Sequence, residues 1–228
     1  MKDDKPRDLQ RRWTKELTGI AMTALTKMPP DLDALKSIFG EISIEGQSYI
    51  DCRGFTPASA VSNVRLDRVD FSHGQLGSPP IPRGRFQDCR LVGVKFFEAV
   101  LAGEYVRCDF TGANFRKATS STPLRLEGCK FTRADFSACE IDLAQFHECL
   151  FAETVFKRSY LTLCKFSKCT FVNPVLTECS IVGCTFIEPM QNMKWYDIKA
   201  KAAMTSVVRE DAPWFDLTGA TTSDVRIK

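Results

Sequence analysis

Histidine is scarce in this chain: only His73 and His147 occur among 228 residues. Neither lies in a Cys/His spacing typical of a zinc site. The sequence also lacks a glycine-rich phosphate loop, a nucleophile elbow and a Ser/His/Asp set. We therefore expect no enzymatic activity, no cofactor, and no catalytic or metal-binding residues.

The chain also lacks a large excess of either charge, since it contains 31 Lys and Arg and 28 Asp and Glu. This balance favours neither a nucleic-acid-binding protein nor an acidic mimic. No window approaches the roughly 18 apolar residues that span a bilayer, and the charged stretch Met1–Trp13 is not followed by a signal-peptide core. These features predict a cytoplasmic protein without direct membrane or nucleic-acid contact, whose ten cysteines are reduced thiols.

Tryptophan and tyrosine are few, at 3 and 4 residues, but phenylalanine is abundant at 17. The bias belongs to an internal repeat. From Leu126 onward every fifth residue is Phe, Leu or Ile: Leu126, Phe131, Phe136, Ile141, Phe146, Phe151, Phe156, Leu161, Phe166, Phe171, Leu176, Ile181 and Phe186. The residue two positions earlier is small in almost every case, as in Cys129, Ala134 and Cys139.

A period of five fits no single regular element. On a helix, five residues rotate by about 140°, which would spread the apolar side chains around the surface. On a straight strand, an odd step alternates between the two faces. A short extended segment that turns every five residues fits, because the large residue and the small one two before it share a face. Four such segments would close a coil of twenty residues.

The segments CDFTG (108–112), ANFRK (113–117) and ADFSA (134–138) match a small–Asp/Asn–Leu/Phe–polar–any pattern. In this the chain resembles the pentapeptide-repeat proteins. In other repeats the position before the large residue is not Asp or Asn. Examples are Lys130, Glu140, Leu150, Tyr160 and Lys165. The resemblance implies a mainly β fold, the right-handed quadrilateral β-helix, here with about six coils and short helical caps at both ends. Residues twenty apart should then stack in columns, with successive coils about 4.8 Å apart.

The repeat also runs upstream, with two slips. Leu66 to Leu101 keep the count of five, Phe110 and Phe115 come one residue early, and Leu126 restores the register. We expect irregularities near Gly103–Val106 and in residues 117–123, and a weak region in residues 72–84, which hold three prolines. The last two segments are expected to bulge outward. Whether they are functional loops, as the family's topoisomerase-protecting members often carry, stays open.

The two ends do not follow the repeat. In residues 1–60 we predict a helical extension: one helix with Asp8 as its N-cap that ends at Pro29, and a second from Asp31 to Ile38. The cations Arg11, Arg12 and Lys15 permit membrane or nucleic-acid contact by the first helix, but a cap over the first coil is favoured. Residues 61–187 form the β-helix, and 188–228 a C-terminal cap with a helix over 193–207 that could mediate a homodimer.

Of the nine cysteines other than Cys52, almost all fall on the small inward position of the repeat. Cysteines twenty apart, such as Cys129, Cys149 and Cys169, would project in parallel, which suits a stack of thiols better than disulfides. Carboxylates at outward positions, namely Asp135, Glu140, Asp142 and Glu148, are interpreted as solvated surface rather than an acid/base pair.

For function the sequence favours a protein-interaction module, a rigid rod that presents a patterned surface to a protein partner. The alternative is a DNA-mimicking protector of a topoisomerase such as DNA gyrase, or a toxin-immunity protein, which the family resemblance also implies. DNA mimicry requires an acidic stripe. Between Phe86 and Phe186 the chain has 12 Lys and Arg and 11 Asp and Glu, so mimicry over the whole surface is not expected.

Overall fold

A computed structural model of the chain describes residues 5–59, 62–77 and 83–187. The predicted C-terminal cap, 188–228, and the proline-rich part of the weak region, 78–82, lie outside the described residues.

In the described part of the chain, three helices precede fifteen strands. The helices are α1 (Pro6–Arg11), α2 (Lys15–Thr26) and α3 (Leu32–Phe39). The first strands are β1 (Glu41–Ile44), β2 (Gln47–Asp51), β3 (Ser62–Asp67), β4 (Val69–Asp70), β5 (Arg83–Gln87), β6 (Val100–Val106) and β7 (Thr119–Glu127). The remaining ones are β8 (Glu140–Asp142), β9 (Gln145–His147), β10 (Leu150–Ala152), β11 (Tyr160–Thr162), β12 (Lys165–Ser167), β13 (Thr170–Val172), β14 (Ser180–Val182) and β15 (Thr185–Ile187).

The strands from β2 onward form four walls of a β-helix, because strands about twenty residues apart pair in parallel. Leu161 lies opposite Ile141 and Ile181, and Phe166 opposite Phe146. The central inward residues of wall 1 are Leu66, Phe86, Tyr105, Leu126, Phe146 and Phe166; of wall 2, Phe71, Leu91, Phe110, Phe131, Phe151 and Phe171; of wall 3, Leu76, Phe96, Phe115, Phe136, Phe156 and Leu176; and of wall 4, Leu101, Ser120, Ile141, Leu161 and Ile181. This confirms the predicted β-helix of about six coils.

The phenylalanines stack along the coil axis, which explains their excess. Phe131 lies between Phe110 and Phe151, with ring centroids 5.1 and 5.0 Å apart and planes tilted by 3° and 8°. The Phe146–Phe166 pair is 4.8 Å apart. These distances match the spacing between paired strands, so each coil adds one large apolar side chain to each column of walls 1 to 3.

Most corners between walls contain one residue in the left-handed backbone region. Arg133, Ala138, Leu143 and Glu148 have φ of 56°, 56°, 57° and 52°. This conformation is uncommon for residues other than glycine. Because it recurs two residues after each central residue, it is the turn that bends the chain from one wall to the next.

The two register slips lie at the corner between walls 4 and 1. Tyr105 follows Leu101 by four residues instead of five, and Leu126 follows Ser120 by six. Gly103 makes the short corner with φ of 96°, in a place where a Cβ would lie 2.3 Å from the Gly84 carbonyl oxygen. The slip near Gly103–Val106 was predicted correctly. The irregularity predicted in residues 117–123 is confirmed: within β7 the pairing with β6 passes from Ser120 opposite Leu101 to Leu124 opposite Gly103, so residues 121–123 oppose Ala102 alone. It lies inside the strand Thr119–Glu127 and does not form a separate loop.

The N-terminal helices differ in detail from the prediction. Asp8 lies inside α1, whose N-cap is Lys5 with Pro6 in the first turn. The chain then breaks and starts again at Thr14, whose Oγ1 accepts a hydrogen bond from the Leu17 amide, so there are two helices where one was predicted. Helix α3 agrees with the prediction, with Asp31 as its N-cap and Gly40 at its end.

An antiparallel hairpin, β1–β2, follows α3 and was not predicted. Strand β2 pairs in parallel with β4, Ile50 lying opposite Val69, and the Phe55 carbonyl accepts a hydrogen bond from the Gln75 amide. Parallel stacking therefore begins at residue 50, upstream of the expected start at 61. The hairpin pairs with the edge of the first coil that would otherwise be open.

Helices α1 to α3 cover the apolar end of the rod. Trp13 packs between Phe39 and Phe55 at 4.7 and 4.8 Å, and its indole donates to the Arg53 carbonyl. The Arg12 guanidinium donates to both carboxylate oxygens of Asp51. Burial alone would raise the pKa of the Asp51 carboxyl group. Hydrogen bonds from Arg53 and Arg12 outweigh this effect and lower the pKa to about 2. Arg12 is thus committed to holding the cap.

Candidate interaction surface

The ten cysteines are all buried free thiols. Most lie on the small inward position, where the sulfur donates to a backbone carbonyl of the preceding coil: Cys149 Sγ to Leu126 O at 3.5 Å and Cys164 Sγ to Ile141 O at 3.2 Å. Burial raises the pKa of Cys52 and of Cys139 above the usual range. A protonated, buried and hydrogen-bonded thiol is a poor nucleophile.

We expect the native full-length chain to show fewer than one thiol reactive with Ellman's reagent at pH 7.5, and all ten after unfolding in guanidinium. Above the ordinary thiol pKa of about 8.5 the unfolded chain ionises its cysteines, whereas in the folded chain burial holds the pKa of Cys52 and of Cys139 above that value, so these two stay protonated. Folding stability should therefore fall as pH rises past that value, which urea midpoints at pH 7.5 and 9.5 will measure. A thiol that reacts rapidly in the native protein would contradict a purely structural role.

The histidines lie on different walls. The ring Nδ1 of His147 on wall 1 is 2.8 Å from Ser167 Oγ, and the His73 backbone carbonyl on wall 2 accepts from the Gln10 amide side chain. Within residues 5–59, 62–77 and 83–187, no group of three or more His, Cys, Asp or Glu is placed to hold a metal ion. No helix in the same part of the chain is long and apolar enough to cross a membrane.

Charges on walls 1 to 3 pair between successive coils. Arg107 donates to both carboxylate oxygens of Asp88 at 2.7 Å, which lowers the pKa of Asp88. Arg90 lies 3.5 Å from Asp70 and 3.8 Å from Asp109. Further pairs are Lys117–Glu98, Arg116–Asp135, Arg125–Glu104, Lys168–Glu148 and Arg158–Glu178. Most of the acidic side chains on these walls are thus compensated by a cation on a neighbouring coil.

Wall 4 has a different surface. Its segments 99–103, 118–123, 139–143, 159–163 and 179–183 contain no Lys or Arg. Large apolar side chains are exposed there instead: Tyr160 (57%), Leu163 (56%), Leu143 (51%) and Val100 (41%). The other outward residues described there are Thr119, Pro123, Thr162, Ser180 and Val182, together with the exposed carboxylates of Glu140 and Asp142. Wall 4 is therefore an apolar strip that carries two carboxylates.

The four carboxylates noted in the sequence separate into two kinds. Asp135 and Glu148 pair with Arg116 and Lys168 on neighbouring coils, at 3.9 and 3.4 Å. Glu140 and Asp142 share wall 4 and have no ion pair with any described residue. Sequence reasoning missed this division. Reading the repeat by columns would have revealed it, because every fourth pentapeptide from Ala99 onward lacks a cation.

A polar groove of about 370 Å³ lies between the hairpin β1–β2 and the corner of walls 1 and 2. Its lining includes Glu45, Tyr49, Arg90, Arg107 and Asp109. The Arg90 guanidinium lies over the Tyr49 ring at 5.8 Å and between two carboxylates. The groove is thus filled with charges that compensate one another, and its contacts hold the hairpin against the rod.

The cations of the N-terminal helices do not form a basic patch. Arg12 is bound to Asp51, and Arg11 lies 3.7 Å from Asp8 on the helix surface. Lys15 is exposed at the start of α2. The structure thus supports the capping interpretation of this region over contact with a membrane or nucleic acid.

No protein-family model and no curated protein matches the sequence. Among solved structures, a trypsin-treated variant of QnrB1, a plasmid-mediated fluoroquinolone resistance protein, is 13% identical over 57% of this chain and 72% of its own, with a TM-score of 0.37. The pentapeptide repeat protein Rfr23 from the cyanobacterium Cyanothece is 11% identical over 62% and 89%, with a TM-score of 0.29.

HetL, a pentapeptide repeat protein involved in heterocyst differentiation regulation in the cyanobacterium Nostoc, is 13% identical over 59% of this chain and 79% of its own, with a TM-score of 0.19. At this level of identity and similarity, the fold assignment rests on the twenty-residue register and the ring columns of the chain itself.

Proposed function

We propose that the chain, a β-helix built from five-residue repeats, acts as a non-enzymatic protein-interaction module in the cytoplasm, a rigid rod that binds a protein partner through its outward side chains. One observation carries the proposal: one long wall exposes large apolar side chains, whereas the cysteine thiols are buried. The thiols bond to backbone carbonyls, and most acidic side chains of walls 1 to 3 pair with a cation. A stiff repeat rod with one such wall is suited to recognition.

Affinity capture tests this proposal. The tagged full-length chain is used as bait in extract of its native host, with and without nuclease, and bound proteins are quantified by mass spectrometry. We expect at least one protein to be enriched equally under both conditions. No enriched protein, or enrichment that nuclease abolishes, would contradict a protein-interaction role. The predicted homodimer through residues 188–228 would be detected as capture of an untagged copy.

Topoisomerase protection by DNA mimicry is the second candidate. Glu140 and Asp142, unpaired on one wall, are the observation that favours it. A duplex presents one charge per about 1.7 Å of axis, however, and elsewhere on the described walls most acidic side chains pair with a cation. Two carboxylates are far too few to imitate this spacing.

We therefore expect no effect of the full-length chain in a gyrase supercoiling assay, with or without a quinolone, up to a large molar excess over the enzyme. A matched acidic β-helix protein known to act in the assay is the positive control. Inhibition of supercoiling, or rescue from the quinolone at stoichiometric concentration, would establish the second candidate in place of a different protein partner.

A further inference from the structure

Wall 4 combines features that restrict what can bind it, and the following rests on the proposed interaction function. We infer that wall 4 docks a protein whose contact surface is apolar and carries Lys or Arg side chains opposite Glu140 and Asp142. The wall is defined by strands β8, β11 and β14 and by the paired segments of β6 and β7.

The charge of wall 4 excludes polyanions as its ligand. Nucleic acids and anionic membrane surfaces are bound through Lys and Arg, and none occurs in the wall segments from Ala99 to Gly183. Glu140 and Asp142 would repel phosphate groups. Exposed Tyr160, Leu163 and Leu143 instead offer the aromatic and aliphatic area that is typical of protein interfaces.

The same charges disfavour a second copy of the wall as the partner. If two wall 4 surfaces met face to face, four carboxylates would be buried and neither copy would supply a cation from this wall. Burying unpaired charge is costly. A surface that supplies Lys or Arg would instead form two ion pairs at the centre of an apolar contact.

The wall is preorganised for such a contact. Ser120 Oγ donates to the Asp142 carbonyl and accepts from its amide, at 2.9 and 2.7 Å, so the backbone that carries the acidic residues is fixed. Leu163 extends over Gly183, where a Cβ would approach its Cδ2 to 2.7 Å. Five paired strands give a strip about 24 Å long, which suits a modest, reversible interface rather than an obligate one.

Site-specific photo-cross-linking in the native host tests the inference on the full-length chain. Benzoylphenylalanine is placed at position 160 on wall 4 or, as the control, at position 175 on wall 3, where Val175 is 43% exposed. We expect position 160 to yield one discrete cross-link to another protein, at a peptide that contains Lys or Arg, and position 175 to yield at least about tenfold less of that product.

Charge variants then test the role of the carboxylates. Glu140→Lys with Asp142→Lys should lower the yield from position 160 by at least about tenfold, and Glu140→Gln with Asp142→Asn by about threefold. The matched control, Glu127→Lys with Glu153→Lys, makes the same change in net charge at exposed acids on walls 1 and 2 and should leave the yield unchanged. All variants should unfold at the wild-type temperature, since the altered side chains are exposed.

Several outcomes would overturn the inference. These are a cross-link to a second copy, to residues 188–228 of the same chain, or to nucleic acid, and a yield that is insensitive to charge reversal. A partner cross-linked from position 175 but not 160 would leave the interaction function in place and refute wall 4 as its surface. If capture from extract also fails, the interaction function fails with it.

Discussion

Replacing Phe131 by Ala is expected to lower the free energy of unfolding by about 3–5 kcal/mol. The Phe131 ring is fully buried, stacks on Phe110 and Phe151, and meets Phe136 edge-on at 5.5 Å. Its loss leaves a cavity in the middle of a column that cannot close, because the strands on both sides are fixed by parallel pairing. Urea unfolding followed by far-UV circular dichroism measures the change.

Phe97→Ala is the matched control. Phe97 lies on the outer side of wall 3 and is 41% exposed, and the Lys117 ammonium lies 5.2 Å from its ring centre. We expect a loss below about 1 kcal/mol. If Phe131→Ala and Phe97→Ala lowered the free energy of unfolding equally, the stacked columns would not be the main source of the stability of the rod.

Gly103→Ala is expected to cost more than about 3 kcal/mol, or to prevent folding. A Cβ at this position would lie 2.3 Å from the oxygen and 2.7 Å from the nitrogen of Gly84, which are backbone atoms of the neighbouring coil. The φ of 96° is also far from the 47–62° that other residues adopt at the corners. Clash and backbone strain therefore act together at the shortened corner.

Gly112→Ala separates these two effects. Gly112 has φ of 64°, within reach of the ordinary corner conformation, and a Cβ there would meet nothing within 4 Å. In this variant only the left-handed backbone conformation of the new alanine lowers the free energy of unfolding, by about 1–2 kcal/mol. Thermal unfolding of both variants gives the comparison. A Gly103→Ala protein as stable as Gly112→Ala would show that the register does not slip at Gly103.

The sequence was sufficient to predict the coil because each of its signals is local and repeated. A large residue every five positions, with a small one two before it, defines both inward rows, and their columns follow from a coil of twenty. Thiol burial follows in the same way, since Cys149 and Cys169 occupy a row shared with Ala and Thr. The slips could be located because Phe110 and Phe115 leave the count and Leu126 restores it.

Other features depend on three-dimensional neighbours. The hairpin β1–β2 forms because an open parallel edge at Val69 is available to Ile50, which the local sequence of residues 41–51 does not reveal. The break between α1 and α2 places Trp13 between Phe39 and Phe55, residues that are distant in the chain. Residues 117–123 look like a loop, but the backbone from Thr119 onward lies in β7, where Thr119 and Ser120 pair with β6 and residues 121–123 form the irregularity.

The proposed interaction surface cannot be recognised from the total charge for a related reason. Basic and acidic residues balance along the chain as a whole, whereas a partner contacts the side chains of one wall. Glu140 and Glu148 look alike in sequence, but only Glu148 has a cation, Lys168, on the next coil of its wall.

The central claim is that inward side chains build the rod and the outward side chains of wall 4 bind the partner. Capture of the partner by two double variants of the full-length chain tests it most directly. Cys149→Ala with Cys169→Ala changes only buried thiols, and Tyr160→Ala with Leu163→Ala changes only exposed side chains. We expect the first variant to capture the wild-type amount and the second at least about tenfold less. Loss of capture on removing the thiols, with wild-type capture after the wall 4 changes, would contradict the claim.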